Sequence, residues 1–360
     1  MLYLDWAAAA PPEPETLEYA RDLWRTDFAN QESGHALGFA LRRKLDAAAQ
    51  TLSRTFWGVP GGKAVWGTSC TELFQLLAAS PLVSGRRVVS SVLEHPALAS
   101  ALRREAGNLK LLASAPDGKL VPESMENVSL VAFHQVQSEL GAVQDLDKLF
   151  AAFPGAVRFA DAAQGAGKIA FPRGADIVAI SGAKLGVPGG GAALLLAPRW
   201  KGAAEFCGFA AGFRRNEHRV SRVHPAVPQL LAFAAERRVA RMAEASPRIA
   251  ELNAQLRAEL TDDEVFPTLP EENASPYILH LSVPKHQGAV LMRMLAQEKI
   301  MVSAGSACAA ESKDPSPALL ALGASRETAY GGLRISMSRS TPDDAPEIFL
   351  AAWKKVLQNY

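Results

Sequence analysis

The chain holds only three cysteines in 360 residues, Cys70, Cys207 and Cys308. An odd number with no metal-ligand spacing excludes a complete disulfide framework and a cysteine-based zinc site, and it fits free thiols in a reducing compartment. No apolar run approaches the roughly 18 residues that a membrane span needs. An excess of one charge is also missing, since 38 Lys and Arg face 37 Asp and Glu. Without that excess or any run of like charge, neither nucleic acid nor an anionic membrane is expected as the main partner. The opening stretch "MLYLDWAAAAPP" has no basic residue and carries Asp5. It does not read as a signal peptide, so a cytoplasmic protein is expected.

What is present is apolar residue, 48% of the chain, enough for one large core and a smaller one. Short β-rich runs recur through the first half: "AVWG", "RRVVSS", "LKLLAS", "VSLVAFH", "VRFAD", "DIVAIS" and "GAALLLA". Stretches of helical spacing such as "TELFQLLAAS" and "DLDKLFAAF" lie between them. This alternation predicts an α/β protein with a mainly parallel seven-stranded sheet covered by helices, and ligand chemistry at the carboxyl ends of the strands. A long helical segment runs from Pro225 to about Leu260, with a break expected at Ser246 and Pro247. The Pro- and acid-rich "TDDEVFPTLPEENASPY" then marks a boundary. Expected are a large domain over 12–260, a smaller C-terminal α/β domain over 261–360, and an N-terminal segment, 1–11, near the site.

Several stretches carry chemistry. "ISGAKLGVPGGG" puts Lys184 just past a strand end, in a loop whose glycines let a ligand approach the backbone. An amine held there can form a Schiff base with an aldehyde cofactor such as pyridoxal 5'-phosphate (PLP), or it can be an ordinary solvated lysine. "RFADAAQGAGK" ends a strand on Asp161, with Gln164 three residues on. A PLP site needs a carboxylate at the pyridine nitrogen and gains from a donor to the 3'-oxygen, but Asp161 could equally be a helix N-cap. "GTSCTELF" opens a helix with Thr68, Ser69 and Thr71 beside free backbone N–H groups, an anion site of low specificity. "LEHPALAS" puts His95 after the next strand, as a ring-stacking, proton-moving imidazole or a structural one. Last, "SAGSAC" presents Cys308 among small residues, where a thiol is left uncovered.

In order, "YLDWAAAAPP", "NQESGHALG", "GTSCTE", "EHPALASAL", "QSELGAVQ", "FADAAQGAGK", "SGAKLGVPGGG", "SAGSAC" and "LRISMSR" resemble the landmarks of the PLP-dependent cysteine desulfurases, in the class V aminotransferase group of fold-type I PLP enzymes. The resemblance covers nearly the whole chain. It implies that Lys184 holds PLP, Asp161 pairs with the pyridinium, Gln164 contacts the 3'-oxygen and His95 stacks on the ring. It places Thr71 and Ser181 at the phosphate, Cys70 in the phosphate loop and Gln137 near the ring. Asn30 and Arg334 would hold the carboxylate of L-cysteine or a related amino acid, and Cys308 would accept its sulfur. The spacing after Cys308 looks like the long-loop branch, so a homodimer that hands sulfur to a scaffold protein, as in iron–sulfur cluster assembly, is implied.

The chain departs from the family at three places. Ala183 stands where a His usually precedes the lysine, and Gln137, Ser138 and Glu139 stand for the usual Asn-Asn-Glu. The usual Arg-Ser-Gly-Thr segment has no clear match in "RRNEHRVSRVHPAV". These departures keep alternatives open: selenocysteine lysis, transamination or epimerisation on the same scaffold, or a divergent homologue without catalysis.

Overall fold

The computed structural model describes residues 1–217, 223–261, 264–305 and 314–360. Its strands, in chain order, are β1 (Leu2–Tyr3), β2 (Lys63–Gly67), β3 (Arg87–Ser91), β4 (Asn108–Leu112), β5 (Leu130–His134) and β6 (Val157–Asp161). They continue with β7 (Ile177–Ser181), β8 (Ala192–Leu196), β9 (Phe266–Pro267), β10 (Ile278–Ser282), β11 (Ile300–Met301) and β12 (Gly332–Ser336).

The seven-stranded sheet has the order β2-β8-β7-β6-β5-β3-β4. Its central strands β5, β7 and β8 read LVAFH, IVAIS and AALLL, and every residue in them is buried. Such unbroken apolar strands are the mark of a sheet covered on both faces. Helices supply that cover through two apolar clusters, one around Phe133, Val178 and Leu195 and the other around Ala132, Ile177 and Leu194. All pairings are parallel except those of β8, which runs antiparallel to β7 and to β2. Two reversals restore direction, so β2 ends on the same side as β3, β5, β6 and β7. The loops leaving those five strands therefore meet at one rim.

A second sheet, β12-β10-β9, is antiparallel, and its apolar face is buried by Leu291, Leu295, Phe349 and Trp353. Ile249, Leu252 and Leu256 of the helix Met242–Glu259 belong to this second core, on the N-terminal side of the boundary expected near residue 260. The long helical segment breaks at Arg241, between Ala226–Ala240 and Met242–Glu259, and not at Ser246 and Pro247. Pro247 lies near the start of the second helix, where its missing N–H forfeits a single intrahelical bond. β1 pairs in parallel with β11 and so ties the amino terminus to the second core, from which residues 5–10 run back toward the first sheet. Among the described residues no helix is long and apolar enough to cross a membrane, and no group of three or more His, Cys, Asp or Glu could hold a metal.

Candidate active site

A cavity of about 220 Å³ opens at the shared rim. Lys184, His95, Asp161, Gln164, Thr71, Cys70, Ser181, Gln137 and Arg334, nine of the residues singled out from the sequence, all line it. They come from the carboxyl ends of five strands of the large sheet, or the segments just after them, and from β12 of the small one. Asn30 is not in this lining: it is exposed, and its Oδ1 accepts from Glu32 N at 2.9 Å. Cys308 lies outside the described residues, as does much of the segment sought for the missing phosphate ligand.

β7 ends at Ser181 and turns into the short helix Gly182–Leu185, which lifts Lys184 over the rim. A Cβ on Gly182 would lie 2.2 Å from Gly190 O, so only glycine lets the lysine loop fold back this closely. The N-terminal strap crosses here, with Ala10 N donating to Ala183 O at 2.8 Å. Lys184 Nζ donates to Ala8 O, and Gln164 Nε2 donates to Ala7 O at 2.8 Å. Gln164 is fixed from its other end by Lys168, a buried amine whose Nζ donates to Gln164 Oε1 at 3.1 Å. Burial first, then the nearby cations Arg238, Lys184 and Arg334, pull the Lys168 amine down to about 7.

Asp161 closes β6 and is 7% exposed. No helix starts here: Oδ1 accepts from Ala163 N at 2.9 Å in a turn, and the residue lines the cavity. Burial pushes it up to about 6; the Glu94 charge adds to the rise, and the Ala163 bond, His134 and Lys184 oppose it. His134 also lines the cavity, and Glu94, outside the lining, is bonded to it. Glu94 Oε1 takes three donors: Ser91 Oγ at 2.7 Å, His134 N at 3.1 Å and His134 Nδ1 at 2.9 Å. His134 sits opposite Asp161 in the β5–β6 register. The available signals were the position of Glu94 beside His95 and that of His134 at a strand end.

His95 caps the helix Pro96–Glu105, its Nδ1 accepting from Ala97 N at 3.2 Å. That bond leaves the proton of the neutral ring on Nε2. Burial, aided by Lys184 and opposed by Glu94, holds the imidazole below its ordinary pKa, so the neutral form prevails.

The anion corner is the start of the helix Cys70–Ala78. Ser69 Oγ caps it by accepting from Glu72 N at 3.2 Å, and Thr68 N donates to Glu72 Oε2 at 2.6 Å. Cys70 N and Thr71 N belong to the first turn, where no intrahelical carbonyl is in reach. Cys70 Sγ donates to Ile180 O at 3.6 Å, and burial drives its pKa well above the usual thiol range, so it is a neutral wall of the cavity. Gln137 is spent largely on its own turn, since Oε1 accepts from Glu139 N at 2.7 Å and from Leu140 N at 2.6 Å.

Arg334 enters from the second sheet and is 2% exposed. Nη1 donates to Ser138 O at 2.7 Å and Nη2 to Asp5 Oδ1 at 2.8 Å, whereas Nε is buried with no partner among the described residues. Behind it lie Glu139, bonded by Ser316 Oγ at 2.5 Å, and His280, opposite Arg334 in the β10–β12 register. Burial first and Arg334 second drive His280 down to about 3, so it is neutral.

An amine, a buried carboxylate, an imidazole, the N–H groups and hydroxyls of a helix start and a guanidinium with an unused N–H thus face one cavity. This donor set fits PLP: the carboxylate matches a pyridinium, the helix start a phosphate and Lys184 the aldehyde.

Comparison with known proteins agrees. The chain matches the family described as Aminotransferase class-V over residues 2–345. It is 28% identical to the cysteine desulfurase IscS of Anaeromyxobacter dehalogenans over 367 aligned positions, covering 95% of this chain and 89% of the relative. Among solved structures, a NifS-like protein from Rickettsia africae superposes with a TM-score of 0.83 at 21% identity, covering 99% of each chain. SspA in complex with cysteine does so with 0.72 at 22% identity, covering 95% of this chain and 100% of the other. These likenesses show the same fold. The chain belongs to the class V aminotransferase family and is a PLP-dependent enzyme.

Proposed function

We propose that the protein is a cysteine desulfurase, converting L-cysteine to L-alanine and passing the sulfur to Cys308 as a persulfide. The observation that carries this reading is the meeting of Lys184 and Asp161 from one sheet with Arg334 from the other in a single cavity. The name carried by the 28% identical relative supports the same reaction. Bound PLP supplies an aldehyde for the substrate amine and an electron sink that weakens bonds at its α-carbon.

The chain's own groups do the rest. Lys184, whose Nζ donates to Ala8 O, would hold the cofactor through that amine. Asp161 would pair as a carboxylate with the pyridine nitrogen and hold the proton there. His95 stacks on the ring and offers its Nε2 proton. The first-turn N–H groups of Cys70 and Thr71, with the Thr71 and Ser181 hydroxyls, hold the phosphate. The second N–H of Gln164, aimed by Lys168 and Ala7, serves the 3'-oxygen, and Gln137 supports the cavity wall beside the ring. Arg334 orients the carboxylate. The sum balances without an oxidant: the Cys308 thiol takes the substrate sulfur to become S–SH, and a proton replaces sulfur on the carbon of the product.

A homodimer belongs to this reading. Trp24, Phe28, Leu37 and Phe39 are large apolar side chains exposed near the loop that carries Asn30, a patch a second copy would cover. Sulfur then passes to an acceptor protein. The test is the purified protein with PLP and L-cysteine, followed for alanine by chromatography and for persulfide by mass spectrometry. Cys308→Ala should keep the visible absorbance of bound PLP and lose the persulfide and nearly all alanine formation. Full activity in that variant rejects the mechanism, and keto-acid or racemised product in place of alanine points to another class V reaction.

A further inference from the structure

We propose that Asp5 sets the strength and the charge selectivity with which Arg334 takes up a substrate carboxylate, acting as an internal competitor for the guanidinium. The inference rests on the reading of Arg334 as the carboxylate clamp and adds what opposes it.

Asp5 is the counter-ion in contact with this guanidinium, at 2.8 Å and with the Arg334 side chain 2% exposed. The other acid at hand is Glu139, held above the ordinary carboxyl range by burial, against the pull of Ser316 and Arg334. Nη1 gives one of its two hydrogens to Ser138 O, and Nε is buried with no partner among the described residues. An arriving carboxylate therefore has two ways to bond. It can take the bonded Nη2 hydrogen from Asp5, or it can use the remaining N–H groups of the guanidinium with the Asp5 charge a few ångströms away. Either route weakens binding compared with a guanidinium that has no ionised neighbour.

The exchange needs no opening of the strap. Asp5 bridges to Ser336, and Ala7 N donates to Ser336 Oγ at 2.9 Å, so the backbone is pinned on the second sheet. The Asp5 side chain is 22% exposed and can turn outward alone. One substrate carboxylate then meets one cation and one displaced anion. A dicarboxylic amino acid brings a second anion toward Asp5 and Glu139 and is disfavoured. The N-terminal strap thus tunes the site for monocarboxylic substrates.

The experiment uses the PLP-loaded protein and reads ligand affinity from the visible absorbance of the bound cofactor. The ligands are L-alanine, L-aspartate and 2-aminoethanethiol, an amine without a carboxylate. Asp5→Asn keeps an oxygen acceptor for Nη2 and removes the charge. It should bind L-alanine about tenfold more tightly, the size of one charged hydrogen bond, and L-aspartate by more, with 2-aminoethanethiol changed less than about twofold. Asp5→Ser should move the same way, so a fold defect particular to one variant does not decide the matter. Wild-type affinity for L-alanine that both variants leave unchanged or weaken overturns the proposal alone. A wild type whose spectrum answers 2-aminoethanethiol but shows no preference for carboxylate ligands overturns the clamp reading and the proposal with it.

Discussion

Two buried polar clusters flank the cavity, each with a histidine and a glutamate, yet they are in opposite electrical states. On the large sheet Glu94 and His134 underlie Asp161, and crowding with burial raises the aspartate to about 6. On the small sheet Glu139 and His280 underlie Arg334, and burial with the guanidinium lowers the histidine to about 3. The first cluster is short of a cation and the second is met by an anion, Asp5, brought in from the N-terminal strap. One side is thus prepared for a pyridinium and the other for a carboxylate. Similar residue types acquire different tasks because the strand neighbour differs, Asp161 opposite His134 and Arg334 opposite His280.

The contrast breaks most sharply at Asp161. Asp161→Asn should lower kcat for alanine formation by roughly a thousandfold, with a changed spectrum of the bound cofactor, since the electron sink loses its protonated nitrogen. Stopped-flow absorbance with alanine detection checks this. A variant within threefold of wild type would show that Asp161 serves only the turn at Ala163.

Stability against pH separates the clusters next. Asp161 holds its proton more tightly in the folded chain, about 6 against 3.8, so its contribution is full below pH 3.8 and is lost as pH rises through about 6. The amount is roughly 3 kcal/mol. His280 is the reverse case, about 3 against 6.5: its contribution is full above pH 6.5 and is lost as pH falls toward 3. Urea midpoints of the cofactor-free protein at pH 4 and pH 7 should therefore respond in opposite ways. Asp161→Asn should steepen the loss of stability on acidification, and His280→Gln should flatten it. Equal shifts from both would contradict the charge states described.

Arg334→Lys should act on KM, raising it about tenfold to a hundredfold with a smaller change in kcat, because a lysine cannot hold Ser138 O, Asp5 and a carboxylate in one plane. The mildest test is Ser316→Ala. It removes the bond to Glu139 and the cap on Leu319 N, and thermal unfolding should report a loss of about 1 to 2 kcal/mol.

Much of the site is legible along the chain because its residues follow strands. Lys184, Asp161, His95 and Thr71 lie within four residues of the carboxyl ends of β7, β6, β3 and β2, and periodicity alone marks those strands. Gln137 and Ser181 follow the same logic. Asn30 does not: it stands far from any strand end and stays outside the lining. Glu94 beside His95 and His134 at a strand end are each visible along the chain, but their pairing is not, because only the neighbouring of β3 and β5 brings them together.

The sequence by itself determined the parallel architecture, the strand ends and the side chains placed on them, since hydrophobic patterning and turn chemistry act over a few residues. Only the tertiary structure decided that Asp5 meets Arg334 across 329 positions, that Ala7 and Ala8 engage Gln164 and Lys184, and that one buried aspartate stays near protonation while one buried histidine stays neutral. The physical reason is that desolvation and Coulomb interaction depend on what is folded nearby, and chain position does not record that.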